Sequence, residues 1–146
     1  MLAILSAIIL VIVFYPTPKT GNQTTDTLSN SFANTQEKIA FLKKYVNLPS
    51  EVEASEYHII YFSGSGIGLG PSEWDFEMVF RLRPENLEYW TNNIQESPTA
   101  FDLAWAKELL PKDWQLSSEP SYYARSGELT VFEAESIILW KISTID

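Results

Sequence analysis

Cysteine is absent, and histidine occurs once, at His58. Without thiols the chain has no disulfide, no thiolate nucleophile or metal ligand, and no cysteine for lipid attachment. A lone imidazole excludes a multi-histidine zinc or iron centre within one chain. Positive charge is scarce as well: 10 basic side chains stand against 19 acidic ones, a net charge of −9. Nucleic-acid binding needs a basic footprint that displaces phosphate counterions, so no nucleic acid is expected as a partner. The same imbalance disfavours adsorption on anionic headgroups. It suits solubility and, where there is a partner, a basic protein.

What is present is an apolar run, a polar stretch and a long mixed segment. Residues 2–15, LAILSAIILVIVFY, carry no charge; the run opens at Leu2 and closes at Tyr15. It is shorter than the usual span of about 17 to 25 residues, and near the length of a signal-peptide core. No Lys or Arg precedes it, and the following YPTPKTG offers no small-x-small cleavage site. An uncleaved transmembrane anchor, or signal-anchor, is therefore expected over residues 1–17. It would cross a thin or compressed bilayer and meet membrane lipid from Leu2 to Tyr15. A buried core helix is the competing reading, but the run is apolar all round and a polar segment follows it. Residues 18–34, rich in Thr, Ser and Asn, read as a flexible linker. Lys19 leans by the positive-inside rule towards a cytoplasmic C-terminal part. The linker composition is that of an exported tether, and an extracytoplasmic domain is the expectation adopted.

Residues 35–146 read as a single α+β domain. Thr35 is a candidate N-cap for a helix through Val46, with Ile39, Phe41, Leu42, Tyr45 and Val46 on one side and Pro49 beyond. EYHIIYFS, from Glu56, has the β-branched and aromatic content of a strand. In SEWDFEMVFRLR, Trp74, Phe76, Met78, Phe80 and Leu82 alternate with Asp75, Glu77, Val79, Arg81 and Arg83. Period two predicts a sheet with one face buried and the other, with Val79, in solvent. Pro84 and Glu85 suit a first helical turn ahead of Leu87, Trp90 and Ile94. Thr99 with Asp102 resembles a capping box ahead of Phe101, Trp105 and Leu109, and Pro111 closes that helix. SYYAR, ELTVFEA and SIILWKIS then read as a meander. The order implies a largely antiparallel sheet of about four to five strands with helices packed on one face.

Residues 64–76, GSGIGLGPSEWDF, are the most ligand-like stretch. A phosphate loop must open a helix, whose N-terminus supplies N–H donors. Here Pro71 leads into the alternating strand, and the glycines are spaced G-x-G-x-G-x-G without a following Lys-Ser or Lys-Thr. A hairpin connection between two antiparallel strands is expected instead, with Gly64, Ser65, Gly66, Gly68 and Gly70 as a loop able to touch a partner. Glu73, Asp75 and Glu77 would form a carboxylate ladder beside it on one strand face. Such a ladder can bind a cation or supply an acid and a base. Arg81 and Arg83 continue the same face, so paired surface charges are the plainer expectation. Trp114, Tyr122 and Tyr123 are candidates for a sugar platform, or for core. Ser65 and His58 are the residues a serine hydrolase would use, but no G-x-S-x-G elbow is present.

The expected function is thus a membrane-tethered, acidic, non-catalytic binding domain. Its contacts are placed at Gly64, Ser65, Gly66, Gly68, Gly70, Glu73, Asp75 and Glu77, with no cofactor and no metal. The alternative is a small envelope hydrolase working through carboxylates or Ser65 with His58.

Overall fold

The strong alternation around Trp74 to Leu82 organises the molecule. In the computed structural model, which describes residues 24–62 and 72–144, this stretch is strand β3 (Glu73–Arg81) near the centre of one sheet. The other strands are β1 (Thr25–Leu28), β2 (Ala54–Phe62), β4 (Ser121–Ala124), β5 (Glu128–Phe132) and β6 (Ile137–Ser143). Their order across the sheet is β1-β2-β3-β6-β5-β4, and every neighbouring pair is antiparallel. The chain therefore lays down β1 to β3 from one edge inward. It then crosses to the far edge and returns, so that β6 closes against β3. The α+β class and the antiparallel sheet agree with expectation. Among the described residues the strands number six rather than four to five.

The added strand is β1, which lies in the stretch read as linker. Thr25 to Leu28 pair with Tyr61 to His58, and a 3-10 turn at Ser29–Ser31 follows. Alternating Thr with Asp and Leu is a strand pattern, but four residues within a Thr/Ser/Asn-rich stretch conceal it. The expected hairpin is present: Phe62 pairs with Glu73 and Ala54 with Arg81. The glycines of the connection and the run expected as an anchor lie outside the described residues. Among those described, no helix is long and apolar enough to cross a membrane.

One face of the sheet carries Tyr57, Ile59 and Tyr61 of β2, Phe76, Met78 and Phe80 of β3, Leu129 and Val131 of β5, and Ile138, Trp140 and Ile142 of β6, all buried. Helix α1 (Thr35–Leu42) and the short α2 (Glu88–Thr91) cover it. Phe41 stacks on Tyr57 at 6.0 Å, while Trp90 lies 5.1 Å from Phe80 and edge-on to Trp140 at 5.7 Å. The N-cap of α1 is Asn34, one residue before the expected Thr35. Its Oδ1 accepts from Glu37 N at 3.0 Å, and Glu37 Oε2 accepts from Ala33 N at 3.2 Å, a reciprocal cap. The Tyr57 hydroxyl donates to Lys38 O at 3.0 Å, fixing α1 to the sheet. Burial, and then the charge of Glu56, raise the pKa of that phenol.

The second face corrects the expectation of helices on one side only. Val79 and Leu139 are buried there together with Phe132 and Ile137. They lie under helix α3 (Ala106–Leu109) and Trp114. Outward-facing Val79 is therefore core, not solvated. The expected helix from Thr99 shrinks to one turn. Asp102 Oδ1 accepts from Ala104 N at 2.9 Å, and Phe101 turns aside to pack edge-on against Tyr122 at 5.5 Å.

Candidate acidic recess on the second sheet face

The antiparallel register places side chains of the second face in rows across the strands. One row runs Leu28, His58, Glu77, Lys141 and Glu128; the next runs Asp26, Ile60, Asp75 and Ser143. Phe62 and Glu73 lie opposite each other beyond them. In the opposite direction the rows turn apolar, through Val79 and Leu139, and these are the rows that α3 covers. The face is thus a covered apolar half and a more open acidic half. Leu28 is 42% and Phe62 45% exposed on the open half.

Where the halves meet there is a recess of about 250 Å³, lined by Leu28, Ser29, Glu56, His58, Glu77, Trp105, Glu108 and Leu109 among others. Its charged groups are largely tied to one another. Glu56 accepts from Lys38 Nζ at 2.6 Å and from Ser29 Oγ at 2.5 Å. Glu77 Oε1 accepts from Lys141 Nζ at 2.7 Å. His58 Nε2 lies 2.7 Å from Asp26 Oδ1. Burial acts to lower the pKa of Lys141, but the bond to Glu77 and the charges of Asp75, Glu77 and Glu128 outweigh it, so the net shift is upward. This lysine is held as a cation. Two polar atoms at this face, Asp75 Oδ1 and Trp105 Nε1, are buried without a hydrogen-bond partner among the described residues.

The three expected acids behave differently from one another. Glu73 is exposed near the end of the hairpin, Asp75 is half-buried, and Glu77 is neutralised by Lys141 on the neighbouring strand. The arginines diverge. The Arg81 guanidinium stacks on Trp114 at 4.5 Å and approaches Asp113 at 3.7 Å, while Arg83 lies 3.6 Å from Glu53. Gly64, Ser65, Gly66, Gly68 and Gly70 lie outside the described residues. The aromatic platform does not assemble: Trp114 is buried, Tyr122 pairs with Thr130 on the second face, and Tyr123 pairs with Leu129 on the first. Among the described residues no group of three or more His, Asp or Glu is placed to hold a metal ion.

Sequence reasoning missed Asp26, Glu56, Glu108 and Trp105 as lining or pairing residues. Of the residues singled out in the sequence, His58 and Glu77 do line the recess. The partner of His58, Asp26, is 32 residues away, inside the stretch read as linker, and Lys38 is 18 residues from Glu56. Such separations leave no local spacing to read.

Away from the recess, Glu135 in the β5–β6 turn accepts from Ser117 N at 2.9 Å, Ser117 Oγ at 2.7 Å and Ser118 N at 2.9 Å. The Ser118 hydroxyl donates to its second oxygen. These serine donors hold its carboxyl at about 2, well below the usual carboxylate range.

An antiparallel α+β sheet domain is the class the architecture defines. No family model, curated protein or solved structure matches the chain.

Proposed function

We propose that the chain is a membrane-tethered, acidic interaction domain that docks a basic protein on the extracytoplasmic side. Residues 2–15 serve as the anchor. The open half of the second sheet face is the contact surface, next to the glycine connection. The reading rests on the division of that face: acids at Asp26, Glu73, Asp75 and Glu128 flank the apolar Leu28, Ile60 and Phe62. Carboxylates around apolar side chains favour a partner that brings both cations and apolar surface. The recess supports binding over catalysis, because Glu56 and Glu77 are each committed to a lysine rather than left as an acid and base pair.

The test is affinity capture from solubilised membranes with the full chain as bait. Capture is expected to weaken as salt rises and to fall in Glu73→Lys combined with Glu128→Lys. Capture indifferent to both salt and charge reversal overturns the reading. Carbonate extraction tests the tether separately, since deletion of residues 1–17 is expected to release the domain from membranes.

One observation favours the hydrolase alternative. Asp26 and His58 form a carboxylate–imidazole pair at the recess, as an oriented general base does. Turnover lost in both His58→Ala and Asp26→Asn, with the fold intact, selects it.

A further inference from the structure

The cover of the second face is a closed loop. At its base Ser97 N donates to Tyr122 O at 2.6 Å, and Glu96 forms a bridge with Tyr123. Residues 98–120 leave from that point and return to it, and Pro98 and Pro120 stand at the two ends. The loop can lift away from the sheet without breaking any pairing between strands.

Its hold on the sheet is sparse. It contributes two buried side chains, Ala106 and Trp114, with Leu103, Trp105, Leu109, Leu110 and Leu116 half-buried beside them. Its one helix is the single turn α3, which has no side-chain cap. At the boundary between loop and sheet, Trp105 Nε1 and Arg81 Nε are buried with no partner among the described residues. Each unpaired donor costs free energy when the loop closes and regains water when it opens. Against that stand the Arg81 guanidinium, which stacks on Trp114 and approaches Asp113, and one concentrated fastening, where both serines, by N–H and hydroxyl, bind the Glu135 carboxylate.

We propose that residues 98–120 are a strap that opens and closes over the second sheet face as one unit, with the Glu135 carboxylate on Ser117 and Ser118 as its catch. Opening uncovers Val79, Phe132, Ile137 and Leu139 while the six strands and the first-face core stay in place. Closing covers them again. Local opening below the cost of global unfolding is what few apolar contacts and a separable base allow.

Hydrogen exchange on the full-length chain tests this. The amides of Leu110, Trp114, Ser117 and Ser118 are compared with those of Met78 and Leu139 in the central strands. In the unmodified protein the strap amides are expected to exchange about 100-fold faster, reporting local opening. Glu135→Gln is expected to speed them about tenfold more and leave the central strands unchanged. Ser117→Ala with Ser118→Ala is expected to do the same at Leu110 and Trp114. Strap and central strands exchanging at one common rate in the unmodified protein overturns the proposal, whether or not the variants fold. Equal acceleration of both regions by Glu135→Gln also overturns it.

Discussion

The two faces of the sheet share the same strands and are held by different means. The first face is closed by aromatic rings from α1, α2 and the sheet, with Trp90 fully buried between Phe80 and Trp140. The second is closed over half its extent by mixed aliphatic and aromatic contacts, Trp105 and Trp114 among them, and by polar fastenings, and its other half stays acidic and more open. Ring contacts add orientation-dependent attraction to a large buried area, so each piece of the first cover reinforces the next. The second cover depends on fewer rings, the contacts of Arg81 with Trp114 and Asp113, and the Glu135 carboxylate. Stability and adaptability thus occupy opposite sides of one sheet.

Substitutions at adjacent residues of β3 test this contrast most directly. Phe80→Ala, facing the aromatic side, is expected to cost about 3–5 kcal/mol in urea-unfolding stability, as for a buried ring removed from a packed core. Val79→Ala, facing the strap, is expected to cost about 2 kcal/mol, from two buried carbons and the small void they leave. Both side chains are 0% exposed. A negligible loss at Val79 would show that the strap spends little time closed. The covers also differ in their helix ends. Asn34→Ala removes the reciprocal cap of α1 and is expected to cost about 1 kcal/mol in the same measurement, whereas α3 has no such cap to remove.

The smallest effect is a difference in pH dependence. Glu135 has its carboxyl lowered from 4.5 to about 2 in the folded chain. Between those values the unfolded chain binds more protons than the folded one, so the contribution of Glu135 is complete above 4.5 and is lost as pH falls towards 2. Glu135→Gln is expected to remove that part of the acid limb in unfolding curves measured across the window. An unchanged acid limb would mean that the serine bonds do not favour the ionised carboxylate over its protonated form.

Periodicity made β3 and its partner β2 legible, because alternation records which side chains share a face. It does not record what lies above that face. For Val79 alternation gives the correct side and not the environment, since its cover comes from residues whose own pattern is irregular. Phe101, Trp105 and Leu109 have helical spacing, yet Phe101 answers to Tyr122 and only Ala106–Leu109 complete a turn. Tertiary packing overrode the local pattern there. β1 escaped notice because Thr and Asp serve linkers and edge strands alike. The recess was least legible of all, as its pairs Asp26–His58, Lys38–Glu56 and Glu77–Lys141 arise only once the strands are aligned.

The strand order has a consequence for how the chain acquires its shape. β1, β2 and β3 form one local three-stranded unit, and β4, β5 and β6 form another. The seam between them, β3 against β6, joins residues such as Glu77 and Lys141 that are 64 positions apart. Until that seam closes, each unit displays a bare inner strand rich in Val, Ile, Phe and Trp, the most adhesive kind of edge a polypeptide can offer. Long-range pairing of this sort is the slow step of sheet folding, because a large loop must close before any contact rewards it. During synthesis β3 emerges well ahead of its partner. The interval before β6 arrives is therefore when this chain is most exposed to mispairing with its neighbours.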